Sequence, residues 1–167
     1  PEPTVLFTRL TGPLSRHAGQ ISFPGGRIEN GDASIAQAAL RETAEETGIE
    51  PSRVTLAGFL DRYETGTRFA IQPVVGVLAP GFALAPDPHE VAEIFETPLG
   101  VFLDPANHQV ETRDWMGRVR TFHVFRHGGH EIWGATAAIL VDLQMRLAAR
   151  DGQPSAAPVN NGHADRS

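Results

Sequence analysis

The chain contains no cysteine, so neither a disulfide nor a thiolate-held metal can contribute to its fold or chemistry. No stretch approaches the roughly eighteen consecutive apolar residues that a membrane-spanning helix requires. The first hydrophobic stretch, Val5-Leu6-Phe7, is soon interrupted by Arg9, so no apolar signal segment opens the sequence. These absences lead us to expect a cytoplasmic protein without membrane contact. Basic charge is also scarce: 14 Lys and Arg stand against 20 Asp and Glu, a formal net charge of −6. That balance repels a nucleic-acid backbone, so no DNA or RNA footprint is expected. A small anionic ligand could still meet a local basic pocket. Arg9, Arg16 and Arg27 lie close enough in sequence to supply one.

The 167 residues suit one domain with a proper core, and 41% hydrophobic with 20% charged residues is ordinary globular composition. The first residue is Pro1 rather than Met, which leaves the amino-terminal edge of the domain open. Residues Thr4 to Leu10 read as a strand, and Ile21-Ser22-Phe23 as a short one ending at Pro24-Gly25-Gly26. A helix should begin near Ser34, where Ser34 and Gln37 have capping-box spacing, and run through Glu46 to a left-handed stop at Gly48. Helical periodicity places Ala36, Leu40, Ala44 and Thr47 on one side, read as the packing face, and Glu42, Glu45 and Glu46 on the other. Val54 to Tyr63, Arg68 to Leu78 and Val119 to Arg126 read as strands, with a hairpin turn at Gly128-Gly129. His89 to Phe95 fits a short helix or a strand edge. Thr136 to Arg150 is an amphipathic helix with Ile139, Leu140, Leu143 and Leu147 on its buried stripe. From Asp151 onward the composition is that of a disordered tail. The expectation is one α/β domain over residues 1–150, a mixed sheet sandwiched between helices, with residues 151–167 outside it.

The chemistry concentrates in Gly25-Gly26-Arg27-Ile28-Glu29-Asn30-Gly31-Asp32 and Arg41-Glu42-Thr43-Ala44-Glu45-Glu46-Thr47-Gly48-Ile49. Carboxylates spaced i, i+3 and i+4 project from one helical face and repel each other. They also lie near a helix C-terminus, where the macrodipole disfavours anions. A sequence that accepts both penalties points to a neutralising cation. All-oxygen ligation then favours Mg²⁺ or Mn²⁺ over zinc. Taken alone, E-x-x-E-E on a helix is more often a solvated face paired with a neighbouring arginine such as Arg41. The Gly-Gly pair, Asp32, Arg41 and Gly48 occurring together argue against that reading.

This combination resembles the Nudix box: a glycine, five residues, an acid, a spacer, then Arg-Glu-x-x-Glu-Glu-x-Gly. The resemblance implies a Nudix fold (α/β/α) and a metal-dependent diphosphatase, an enzyme acting on acid anhydrides. It implies Glu42, Glu45, Glu46 and the Gly26 carbonyl as metal ligands, with Arg41 orienting the cluster. The spacer between Asp32 and Arg41 holds eight residues where the general box has seven, Asp32 stands in place of glutamate, and Thr43 takes a position commonly aliphatic.

Flanking segments narrow the resemblance. Leu6-Phe7-Thr8-Arg9, His17 to Gly26, Pro88 to Phe95 and Ile132 to Thr136 are similar to the coenzyme A diphosphatases of the superfamily. The implied reaction cleaves coenzyme A or its thioesters to 3′,5′-ADP and 4′-phosphopantetheine. Arg9, Arg16, His17, Gln20 and Arg27 are the expected substrate-binding residues, although His17 and Gln20 could equally just hold the loop. The general base is Glu42, or Glu90 or Glu93 from a later loop that folds back. His127 and His130 read as solvated turn residues and Trp133 as a core anchor. The alternatives are another small-molecule nucleotide substrate (ADP-ribose, NADH, a dinucleoside polyphosphate or an oxidised nucleoside triphosphate) and a non-catalytic nucleotide sensor. Oligomeric state stays open, a homodimer included.

Overall fold

The computed structural model describes residues 2–11 and 19–150. Arg16, His17 and the expected tail lie outside these residues. Strands β1 (Thr4–Leu10), β2 (Ile21–Ser22) and β7 (Val91–Pro98) form one antiparallel sheet in the order β2-β1-β7. Strands β8 (His108–Trp115), β9 (Arg118–His127) and β10 (His130–Trp133) form a second, in the order β10-β9-β8. Two smaller ladders pair β3 (Val54–Phe59) with β6 (Val74–Leu78), and β4 (Tyr63–Glu64) with β5 (Ala70–Ile71). With helices α1 (Ile35–Thr47), α2 (Leu99–Leu103) and α3 (Gly134–Arg150) they make the expected α/β fold. Its sheet is divided into these four sets, and all ladders among the described residues run antiparallel. No helix of the described residues is long and apolar enough to cross a membrane.

The core lies between the two three-stranded sheets and α2–α3. Phe7, Phe102, Phe125 and Leu140 are fully buried there, with Ile21, Ile132, Ala137 and Val141 around them. Each such large side chain contributes about 1.5–3 kcal/mol by leaving water. Phe7 is central: it stacks on Phe23 and Phe95 and meets the edge of Phe102. The alternation of β1 drives Phe7 inward, and Phe23 follows β2, so this packing also anchors the loop that begins at Pro24. Thr136 at the start of α3 donates to the Ile21 carbonyl at 3.0 Å, tying α3 to the same strand.

Helix α1 begins as the capping pattern predicts, with the Gln37 amide donating to Ser34 Oγ at 3.1 Å. The reciprocal bond differs by one residue, since Gln37 Oε1 accepts from the Ala33 amide at 2.6 Å. At its end Gly48 is left-handed (φ 75°), and its amide donates to the Ala44 carbonyl at 2.8 Å. The following long loop returns to this end. Ala85 donates to the Thr47 carbonyl at 2.8 Å and Asp87 to the Glu46 carbonyl at 3.2 Å. Thr11, beyond β1, donates to the Glu90 carbonyl at 2.9 Å, so the loop is held from both sides.

The expected packing face of α1 needs correction. Its buried residues are Ala38, Glu46 and Thr47, while Ala36, Leu40 and Ala44 are only partly buried. Ala38, Glu42 and Glu46, each one turn from the next, make up the inward side. Leu40 and Ala44 instead line a shallow groove with Arg41, Glu45 and Pro51. Thr47 keeps to the expected face and Glu45 to the outer one, but Glu46 and partly buried Glu42 turn inward because these carboxylates are the groups being enclosed.

Gly48 joins the helix to the returning loop. A Cβ there would require a left-handed alanine and would stand 2.7 Å from Ala85 Cβ. Gly48→Ala should therefore cost about 2 kcal/mol, a Tm loss of roughly 5 °C for a chain of this size. A thermal melt within 1 °C of the wild type would show that this junction does not constrain the fold.

Candidate active site

The site is assembled where the loop after β2 crosses the C-terminal half of α1. Asp32, just before the helix, receives the Arg41 guanidinium through both carboxylate oxygens, from Nε and Nη2, each at 3.0 Å. The Glu29 amide adds a third bond to Asp32 at 2.8 Å. The Arg41 bonds, and then the amide, hold the Asp32 carboxyl below the usual carboxylate range. The same guanidinium reaches the Arg27 carbonyl at 3.0 Å, Glu42 at 3.1 Å and Glu45 at 3.1 Å. Arg41 is therefore raised further above its already high range, chiefly by Asp32. One cation thus joins the loop backbone, the helix start and two of the three glutamates.

Glu46 is placed differently. It is 6% exposed, and its Oε2 has no hydrogen-bond partner among the described residues. Burial pushes its carboxyl up to about 7, with the negative charges of Glu42, Glu90 and Glu45 adding to the shift and a hydrogen bond from the Gly25 backbone opposing it. The returning loop thereby brings Glu90 into the electrostatic environment of the helix carboxylates. Thr43 is accommodated by bonding back to the Ala39 carbonyl at 2.7 Å.

The second glycine of the Gly-Gly pair has a steric reason. A Cβ on Gly26 would occupy the position of the Glu42 carboxylate. The glycine therefore lets that carboxylate lie directly against the loop backbone, whose carbonyl is the expected fourth ligand. Glu45 remains exposed on the outer side, and among the described residues no three acid or imidazole side chains converge closely enough to enclose an ion. The donor set nonetheless suits a hard divalent cation: an orphaned, buried carboxylate oxygen, a second carboxylate on a glycine cradle, and oxygen donors throughout.

The expected substrate residues separate into distinct settings. Arg9 is ion-paired with Glu93 across the β1–β7 ladder. Arg27 has no carboxylate partner among the described residues; its guanidinium lies over Phe69, 5.4 Å from the ring centre. Gln20 lies beside Gly134 at the entry to α3. His127 is exposed, but His130 departs from the solvated reading: it stacks on Phe95 at 3.7 Å and lies 3.4 Å from Glu93. Glu93, held by Arg9 and His130, is thereby committed to contacts within the fold. Trp133 belongs to an aromatic cluster with Trp115 and Phe122, and Arg113 covers its face. Sequence reasoning missed the Phe69 contact, since β4 and β5 read as parts of longer strands.

Two outcomes follow from this geometry. Gly26→Ala should displace the Glu42 carboxylate, a flexible group that can move at little cost. Activity should then fall about a hundredfold or more while Tm changes by no more than about 2 °C; unaltered turnover would show that this contact is incidental. The second concerns pH. Because the folded protein binds the Glu46 proton more tightly than the unfolded chain, Glu46 favours folding fully below its ordinary pKa of 4.5. That contribution is lost as pH rises toward about 7. In chelator, Glu46→Gln should therefore stabilise the protein at pH 8 relative to pH 5, by up to about 3 kcal/mol. Melts of both proteins at the two pH values check this, and a pH-independent difference would contradict the buried-carboxylate reading.

Comparison with known proteins accords with this site. The NUDIX domain family model matches residues 2–123. An uncharacterized Nudix hydrolase NudL of Photorhabdus laumondii is 37% identical over 147 residues, covering 88% of this chain and 79% of that protein. A protein of the same description from Cronobacter sakazakii is 34% identical over 161 residues, covering 90% and 78%. Among solved structures, a C. elegans Ap4A hydrolase binary complex is similar at 20% identity and a TM-score of 0.48, over 57% of this chain and 68% of that one, and adds nothing to the assignment. A domain match spanning most of the described residues, together with relatives above 30% identity over nearly the whole chain, makes the assignment plain: the chain belongs to the Nudix hydrolases.

Proposed function

We propose that the protein hydrolyses the diphosphate linkage of coenzyme A or its thioesters, yielding 3′,5′-ADP and 4′-phosphopantetheine. Support for diphosphate hydrolysis comes above all from Glu46, a buried carboxylate with an unpartnered oxygen beside Glu42 on its glycine cradle. Support for coenzyme A comes from the flanking segments, Leu6 to Arg9, His17 to Gly26, Pro88 to Phe95 and Ile132 to Thr136, which resemble that branch of the family.

In this reading Glu42, Glu45, Glu46 and the Gly26 carbonyl hold Mg²⁺ or Mn²⁺. When bound, the ion neutralises the diphosphate oxygens and lowers the pKa of an attacking water. Arg41 positions two of the glutamates and fixes the Arg27 carbonyl against the helix. Glu42 or Glu90 accepts the proton of the water. Glu90 fits this role because the loop bonds at Ala85, Asp87 and Thr11 hold it beside the cluster. Of the arginines expected to meet the 3′-phosphate, Arg27 is the best placed, since Arg9 already has a carboxylate partner and Arg27 has none among the described residues. Arg16, His17 and Gln20 complete the proposed substrate set.

Another nucleoside diphosphate derivative, such as ADP-ribose or NADH, would use the same carboxylates, and only the recognition residues separate these readings. The full set of glutamates disfavours a non-catalytic sensor.

The deciding experiment incubates the protein with coenzyme A, 3′-dephospho-coenzyme A and ADP-ribose at fixed ionic strength, with Mg²⁺, Mn²⁺ or EDTA, and identifies products by mass. Coenzyme A should exceed its dephospho form by roughly ten- to a hundredfold in kcat/KM, the worth of a charge-assisted arginine contact. Arg27→Gln should erase that preference, and EDTA should abolish turnover. Equal rates on the two coenzymes, with ADP-ribose cleaved faster than either, would refute the coenzyme A reading and leave a diphosphatase.

A further inference from the structure

Arg27 bridges two parts of the molecule. Its carbonyl is held by Arg41 in the carboxylate site, while its guanidinium lies over Phe69, in the turn between β4 and β5. Phe69 is 56% exposed, so its ring is open to solvent beside the Arg27 guanidinium. The turn is well ordered by its own bonds. Thr65 receives the Phe69 amide on its side chain at 3.1 Å and donates its own amide to the Phe69 carbonyl at 2.8 Å. Arg68 is held left-handed at φ 64° by an amide bond to the Thr65 carbonyl. A non-glycine residue in that region is strained, and the turn carries this cost to present its exposed ring.

A second guanidinium meets the hairpin from the other sheet. Arg120 of β9 lies against Gly66, where a Cβ would collide with its Nη1, and its charge acts on half-buried Tyr63. Among the described residues Arg120, like Arg27, has no carboxylate partner, although its cross-strand neighbour Arg113 binds both Glu111 and Glu131. Two cations with no carboxylate partner among the described residues therefore meet a hairpin that bears an exposed aromatic ring, in a protein of net charge −6. Phe69 stands one arginine side chain from the loop at Gly26-Arg27, and the Glu42 carboxylate lies against Gly26.

We propose that the β4–β5 hairpin is the nucleotide-reading arm of the site, with Phe69 stacking a base while Arg27 and Arg120 take a phosphate carried on its ribose. This rests on the proposed diphosphatase function and deepens it, assigning specificity to Phe69 and Arg120. A base stacks on any open aromatic face, and a guanidinium beside that face supplies charge-assisted bonds to a phosphate. The ligand class is a nucleotide bearing a ribose phosphate in addition to the diphosphate.

The test uses the full chain with Mg²⁺ and measures Kd for 3′,5′-ADP, 5′-AMP and ribose 5-phosphate by calorimetry. It also measures kcat and KM on whichever diphosphate the wild type cleaves fastest. Phe69→Leu should weaken both adenine nucleotides about tenfold and leave ribose 5-phosphate within twofold, with KM raised and kcat retained. Arg120→Gln should weaken 3′,5′-ADP about tenfold and 5′-AMP by less than twofold. Phe69→Tyr, which keeps the ring, should bind as the wild type and controls for loss of folding. If Phe69→Leu melts normally and binds all three ligands as the wild type does, the arm does not read the base. Because the substrate is chosen by the wild type, that result is separable from failure of the coenzyme A reading. A wild type that prefers ADP-ribose, with Phe69→Leu still weakening 5′-AMP, would retain the stacking role and remove the ribose-phosphate role.

Discussion

The five bonds of the Arg41 guanidinium hold the working part of this molecule together. Two go to Asp32, one to the Arg27 carbonyl, and one each to Glu42 and Glu45. Without them the glycine-rich loop would keep the Phe23 packing, the Gly25 bond to Glu46 and the Arg27–Phe69 contact but lose its tie to the helix start, and Glu42 and Glu45 would have no counter-charge. The planar fork matters here: lysine could supply the charge but could not bind Asp32 through both oxygens while also reaching a backbone carbonyl. Asp32 and Arg41 thus convert a flexible approach to the helix into a fixed wall against which Glu42 can lie.

That arrangement leaves an imbalance at Glu46. Arg41 reaches Glu42 and Glu45, whereas Glu46 is buried with one oxygen unpartnered. A chain selected for stability alone would place glutamine or an apolar residue there, since a buried lone carboxylate costs several kcal/mol when ionised. The loop from Ala85 to Glu90 increases the imbalance by bringing another negative charge toward the same carboxylate. Such a concentration of unfavourable terms is expected where binding chemistry overrides folding economy.

The same override explains which features were legible in the sequence. The limits of β1, the Ser34 cap, the Gly48 stop and the Gly128-Gly129 hairpin follow from local backbone chemistry, and the structure places them where that chemistry directs. The inward face of α1 does not follow from it, because a hydrophobicity rule assumes that polar residues seek water. Strand β8 escaped notice because His108, Gln109, Glu111, Arg113 and Asp114 are polar; Glu111 and Arg113 form cross-strand ion pairs with Arg126 and Glu131 in place of an apolar alternation. The stretches Val54 to Tyr63 and Arg68 to Leu78 each divide in two, β3 with β4 and β5 with β6, because Leu60 to Arg62 and Gln72-Pro73 leave the ladders; short-range patterning ran each pair together. His130 read as solvated because its neighbours in sequence are glycines, while its partners Phe95 and Glu93 come from a distant strand.

In the proposed reading, the layout separates bond cleavage from recognition. The carboxylates sit on one helix, braced by Arg41 and by a loop bonded to the helix end, so their spacing is set by rigid geometry. Phe69 and Arg68 sit on a short hairpin outside the principal core, whose ring packs against Arg27 rather than against buried apolar residues. Substitutions there leave the Phe7–Phe102–Phe125 packing untouched and barely perturb the Asp32–Arg41 pair. On that reading, altering the hairpin would change the nucleotide accepted while the helix carboxylates and their Arg41 brace stay in place. The physical requirement is that the link between the two parts be short, and Arg27, bonded to the site through its backbone and to the hairpin through its side chain, meets it within a single residue.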